Sequence, residues 1–173
     1  MNCSIARALD QVGEWWSLLI VRECVLGTTR FDEFQERLGI ARNILTSRLN
    51  RLTELEILEK APLEGQEKRQ GYRLTPKGEE LFPVLIALLQ WGDKWAPGPH
   101  GGSVRYVERD TGKELAPVGP KSADGRPLGF RDVRMLPGPG ATASTQARIN
   151  ARNLAVLGED EPCGAEDPAI ASK

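Results

Sequence analysis

Apolar residues recur along the first half of this chain with the spacing of helices, and the pattern changes character twice. Ile5, Ala8, Leu9 and Val12 mark one face of a first helix that Ser4 would cap and Gly13 would end. From about Glu14 to Leu26 the residues are apolar on most sides (Trp15, Trp16, Leu18, Leu19, Ile20, Val21, Val25), which predicts a helix central to the domain. Gly27 closes it, and Thr28 or Thr29 would start a third helix carrying Phe31 and Phe34. After the break at Gly39-Ile40, Leu45, Leu49 and Leu52 repeat at helical spacing and must face a core, leaving Arg42, Asn43, Thr46, Ser47 and Asn50 outward.

The period then shortens. Residues 57–63 and 71–74 read as two strands around a polar loop over 64–70, a hairpin of the wing type. Thr75-Pro76 supplies an N-cap and a first-turn proline for a last helix expected to run to about Trp95, with Leu81, Leu85, Leu88, Leu89 and Trp91 on its apolar side. Pro97, Gly98, Pro99, Gly101 and Gly102 mark a linker. The expected organisation is therefore a domain over 1–95, a linker over 96–102, a small β-rich extension over 103–143 and a tail over 144–173. The extension shows turns at Thr111-Gly112 and Asp124-Gly125, and the tail holds one short helix over about 146–157 before an acidic stretch expected to be disordered. The fold class expected is α+β.

The outward side chains of the helix from Arg42 can donate to and accept from base edges and phosphates. A helical wheel alone does not separate that use from an ordinary solvated face. The wing and the capped helix behind it favour DNA. The net charge of −1 argues against a non-specific polycation but not against a sequence reader with local basic groups. Arg42, Asn43, Thr46 and Ser47 are the expected base contacts, because the start of such a helix enters the groove first. Arg48, Arg51, Lys68 and Arg69 are the expected phosphate and wing contacts, although Arg51 has Glu54 and Glu56 within pairing distance in sequence.

An ordered set of residues resembles one family closely. The run from Cys3 to Asp10, then Gly13 to Glu23, Gly27, Arg30-Phe31 and Phe34, Leu45 to Leu49 with Leu52, and Tyr72 to Gly78 followed by Leu81 and Trp91-Gly92 is similar to the HxlR family of bacterial winged helix-turn-helix regulators. The resemblance covers residues 3 to 95. It implies a transcriptional regulator, more often a repressor, that binds a pseudo-palindromic double-stranded DNA operator as a homodimer built on its first and last helices. Some members sense oxidants or electrophiles through a cysteine near the position of Cys3, and helix N-termini favour the reactive thiolate. A packed or idle cysteine beside the dimer seam is the competing reading. Related tails carry cysteines at their turns; Thr111 and Asp124 stand there instead, so no structural zinc is expected.

Cys3, Cys24 and Cys163 have neither disulfide nor zinc spacing, which fits a reducing compartment. Cys24 is expected in the core and Cys163 to be incidental. No signal peptide and no bilayer-length apolar run is evident, so a cytoplasmic location is expected, without membrane association. Trp15, Trp16, Trp91 and Trp95 are expected to fill the core and the dimer seam rather than a ligand pocket. His100 is the only histidine and sits in the linker, and no phosphate loop or catalytic set accompanies it, so neither enzyme nor cofactor is expected. Two alternatives stay open: a winged-helix adaptor for protein partners, and a regulator whose extension binds a small-molecule effector.

Overall fold

The computed structural model describes residues 3–63 and 65–158, with the backbone alone for strand residues 66–68. Four helices come first: α1 (Ser4–Val12), α2 (Trp15–Val25), α3 (Phe31–Leu38) and α4 (Arg42–Glu54). A hairpin of β1 (Leu58–Leu63) and β2 (Gln66–Leu74) follows, then α5 (Pro76–Glu79), α6 (Phe82–Trp95) and, much later, α7 (Ala143–Leu157). The chain divides into two compact units, one over Cys3–Val118 and one beginning at Gly119.

In the first unit α2 packs against α3, α4, α6 and β2, as its all-round apolar sequence requires. The core is Ile20, Val21, Phe34, Leu45, Leu49, Leu52, Ile57 and Leu58, all nearly inaccessible, with Val12 and Ile40 at its margin. The hairpin is antiparallel and pairs Leu58 with Leu74 through Pro62 with Gln70; its register slips between Pro62 and Leu63. Gly71 lies where the hairpin meets the helices: a Cβ there would sit 2.9 Å from the Thr29 carbonyl oxygen. The neighbouring Tyr72 N–H donates to that same oxygen at 2.8 Å, which pins the wing to the turn before α3.

Several local expectations change. Cys3, not Ser4, is the N-cap of α1, and it makes no side-chain cap bond. Arg30, not a threonine, precedes α3; Thr28 is instead buried and engaged with Glu23. The second strand begins at Gln66, so most of the expected loop is strand. The helix expected from Thr75 to Trp95 is two helices. Pro83 has no N–H to continue the ladder from α5, and it occupies the first turn of α6, where that N–H is not needed.

The stretch after α6 does not stand apart. Residues through Val118 belong to the first unit: Phe82 and Tyr106 meet edge-to-face, and the Gln90 side chain bonds the Ala116 carbonyl and the Val118 N–H. Of the strands expected around Thr111-Gly112 only a single bridge forms, Val107 with Glu114. In the second unit Lys121 bridges Pro127, and α7 is N-capped by Thr142, whose hydroxyl accepts from the Thr145 N–H. The acidic end expected to be disordered, with Cys163, lies outside the described residues.

Candidate nucleic-acid interface

The helix that carries the candidate DNA face is anchored from below and at its C-terminal end. Leu45, Leu49 and Leu52 are fully buried, so their spacing fixes which side of α4 is free. At its C-terminal end the Lys77 ammonium donates to the Leu55 carbonyl at 2.7 Å. Thr75 donates its hydroxyl to the Glu56 carbonyl at 2.6 Å while accepting from the Gly78 N–H, tying the α4–β1 turn to the start of α5. That turn needs holding, because Glu56 adopts a left-handed φ of 55°. At the N-terminal end Ala41 is the N-cap and offers no side-chain acceptor, which leaves first-turn N–H groups facing out.

Arg42, Asn43, Ile44, Thr46, Ser47 and Asn50 are all exposed on α4. Arg42 lies over the Phe31 ring, 4.8 Å from its centroid, so α3 pre-orients the guanidinium without removing it from solvent. The Thr46 hydroxyl donates to the Arg42 carbonyl at 2.8 Å and keeps only its acceptor capacity for a partner. Ser47 borders an open cleft of about 440 Å³ lined also by Asp10, Glu14, Arg48, Asn50 and Arg51. Ile44 was not among the expected contacts. It stands one residue off the leucine stripe, about 100° around the helix, and is 38% exposed among polar neighbours. An apolar side chain there can meet a thymine methyl group.

The expected phosphate contacts divide. Arg48 does not project freely: it pairs with Glu14 at 3.4 Å, its side chain is only 25% exposed, and its Nε is buried with no partner among the described residues. Its geometry ties α4 to the start of α2 and leaves the guanidinium less free than an exposed cation. Arg51 pairs with Glu54 at 3.5 Å along the helix, the arrangement its sequence neighbours allow. Arg69 is exposed on β2, while the Lys68 side chain lies outside the described residues. Arg73 on the same strand is paired with Glu59 at 2.6 Å, and Lys60 lies over Tyr72, 6.0 Å from its centroid.

At the α2–α3 turn lies a buried carboxylate with no local signature in the sequence. Glu23, near the end of α2, is 4% exposed. Its Oε1 accepts from Arg22 at 2.6 Å, its Oε2 accepts from the Thr28 hydroxyl at 3.2 Å, and Arg37 of α3 stands 4.0 Å away. A buried acid needs such partners, and here they fix the α2–α3 turn. The adjacent Cys24 packs against the core, and burial, reinforced by the Glu23 carboxylate, pushes its thiol up to about 12. Cys3 is exposed at the head of α1.

The tryptophans divide between the core and the surface of the single protomer. Trp16 packs on the core, but Trp15, Trp91 and Trp95 are 78%, 62% and 65% exposed. Among the described residues no cluster of three or more His, Cys, Asp or Glu could hold a metal ion, and no helix is long and apolar enough to cross a membrane.

A sequence model of the HxlR-like helix-turn-helix family matches residues 11–100. An uncharacterized HTH-type transcriptional regulator of Mycobacterium tuberculosis is 39% identical over 140 residues, 81% of this chain and 89% of the relative. Those 140 residues exceed the family match, so the likeness reaches into the extension. Among solved structures, the candidate transcription factor PA1607 superposes with a TM-score of 0.71 at 44% identity, covering 78% of this chain and 94% of its own. A second, PA1374 of Pseudomonas aeruginosa, gives 0.55 at 40% identity and covers 84% and 99%. The leucine-anchored outer face of α4, the hairpin pinned beside it and these matches place the chain in the HxlR-like helix-turn-helix family, as a winged helix-turn-helix transcriptional regulator.

Proposed function

We propose that the protein is a sequence-specific repressor that binds a pseudo-palindromic operator as a homodimer. The observation that carries this reading is the exposed face of α4, where hydrogen-bonding side chains and one isoleucine sit on a fully buried leucine stripe at an uncapped helix start. Arg42, Asn43, Thr46 and Ser47 read base edges, Ile44 adds an apolar contact, and the free first-turn N–H groups meet a phosphate. Arg69, with Lys68, takes backbone phosphates through the wing, whereas Arg48 positions α4 through Glu14. The homodimer is supported by large apolar side chains left exposed on two helices of one unit: Ile5 and Leu9 on α1, and Leu88, Trp91 and Trp95 on α6. Two such protomers set their α4 helices in successive major grooves, about one helical turn apart. An effector, either a small molecule or an oxidant acting at Cys3, changes the spacing of the two helices; equal operator affinity with Cys3 reduced, oxidised or replaced by Ser rules out the thiol route.

The test is a salt-series binding assay on promoter DNA upstream of the protein's own gene, with an Arg42→Ala/Asn43→Ala variant as comparison. Selective binding by the wild type that the variant loses supports the reading. Weak binding to any duplex, unchanged in the variant, favours an adaptor of protein partners instead.

A further inference from the structure

Charge is segregated along this chain in a way the winged domain does not use. Residues 119–158 carry Lys121, Arg126, Arg131, Arg134, Arg148 and Arg152 against Asp124 and Asp132 alone, a net +4, while residues 1–118 sum to −1 and residues 159–173 to −4. Both carboxylates are engaged in turns: Asp124 accepts the Ser122 hydroxyl, and Asp132 accepts the Gly129 N–H at 2.7 Å. Arg152 is used internally, its guanidinium donating to the carbonyls of Val133 and Phe130 and so fastening the 129–136 segment to α7. Lys121, Arg126, Arg131 and Arg148 are different. All four are exposed, and none is in an ion pair among the described residues.

Their scaffold is ordered by specific bonds. Lys121 and Arg126 flank one turn, closed by the bridge from Lys121 to Pro127 and by Ser122, whose hydroxyl bonds both the N–H and the carbonyl of Arg126. Arg131 sits over Phe130 in the segment that Arg152 fastens, and Arg148 lies one turn before Arg152 on the same helix. Helix α7 contains no acidic residue, and around Arg148 it exposes Ser144, Thr145, Gln146 and Asn150. Exposed cations among neutral hydroxyl and amide groups are the composition of a phosphate-binding surface.

We propose that residues 119–158 form a second, sequence-independent DNA contact that takes phosphates of duplex flanking the operator through Lys121, Arg126, Arg131 and Arg148. The inference rests on the operator-binding reading above and adds to it a contact outside the winged domain. Desolvation is cheap at exposed cations, and each phosphate neutralised releases counterions, so the contribution is paid in salt dependence rather than in base selectivity.

The experiment compares four full-length proteins on promoter DNA: wild type, Lys121→Gln/Arg126→Gln/Arg131→Gln/Arg148→Gln, the charge-preserving Arg126→Lys/Arg131→Lys/Arg148→Lys, and Arg42→Ala/Asn43→Ala. Each is titrated over a salt series on a duplex trimmed to the protected footprint and on one extended by about a helical turn at each end. The wild type and the lysine variant are expected to bind the longer duplex more tightly and with a steeper salt slope. The glutamine variant should lose that gain, its slope falling by about 0.9 for each phosphate contact removed, with sequence preference intact. A glutamine variant with wild-type slope and affinity on both duplexes overturns the proposal and gives the surface to another anion, such as residues 159–173 with their five carboxylates and one lysine. A lysine variant as impaired as the glutamine one also overturns it, because charge would not be the cause. If the wild type binds no DNA, or keeps its selectivity without Arg42 and Asn43, the operator reading itself fails.

Discussion

Replacing Glu23 by Ala should destabilise the first unit by about 3 kcal/mol, the low end of the cost of removing one partner of a buried pair. The figure follows from what the carboxylate leaves behind. Thr28, 1% exposed, loses the acceptor of its hydroxyl and keeps no access to water, at about 1–3 kcal/mol. Arg22 keeps 43% side-chain exposure, so its stranded charge can partly rehydrate, although its Nε is already buried without a partner. Arg37, at 4.0 Å and 53% exposed, adds less than about 0.5 kcal/mol. Glu23→Gln keeps an acceptor for Thr28 and should cost about half as much, while Thr28→Val removes one neutral donor for about 1 kcal/mol. Denaturant unfolding at fixed protein concentration measures each variant, and the Glu23→Ala/Thr28→Val double mutant closes the cycle with a coupling of about 1 kcal/mol. The reasoning is refuted if Glu23→Ala costs less than about 1 kcal/mol and its effect is additive with Thr28→Val.

Four further outcomes are expected. Arg48→Gln should leave the salt slope of DNA binding near the wild-type value, because Arg48 is held by Glu14, whereas Arg69→Gln should lower the slope by about 0.9 per protomer in the same titrations. Leu49→Ala, at a position with no accessible surface, should cost about 2–5 kcal/mol in denaturant unfolding and weaken operator binding through loss of the seated helix. Gly78→Ala places a Cβ 2.2 Å from the Ile57 carbonyl oxygen and should lower stability by about 1–3 kcal/mol, seen as a reduced thermal midpoint. For Cys24 the folded thiol, near 12, holds its proton more tightly than an unfolded one at 9.0. Its contribution is therefore complete below about pH 9 and drains away as pH rises toward 12. Unfolding midpoints at pH 8, 10 and 11 should fall less steeply in Cys24→Ala, and peptide mapping after alkylation at neutral pH should find Cys3 modified well before Cys24.

Much of the winged domain was legible because its elements obey local rules. The leucine spacing of α4 is a statement about one helix, and it named the buried stripe and the outer face together. The Thr75-Pro76 start of α5 is equally local, since a cap and a first-turn proline act within four residues. Pro83 carried the signal for the break before α6, but the apolar run around it masked that signal. Ile44 also carried a signal, its offset from the leucine stripe, but the polar residues on either side of that face masked it.

The sequence by itself determined the order of elements through the hairpin, the side of α4 that is free, and the concentration of positive charge in residues 119–158. Only the tertiary structure decided which cations on that face are available. Arg48 and Arg69 are alike as sequence symbols, yet one is paired with Glu14, 34 positions earlier, and the other is open. It also decided that three of the four tryptophans face outward, that Glu23 is a buried anchor, and that Gln90 and Phe82 hold the stretch through Val118 against α6. The physical reason is range. Helical and strand periodicity is set by residues a few positions apart, so it shows that a side chain must be buried or free. The partner that neutralises a charge or covers a ring is chosen by packing between elements distant in the chain.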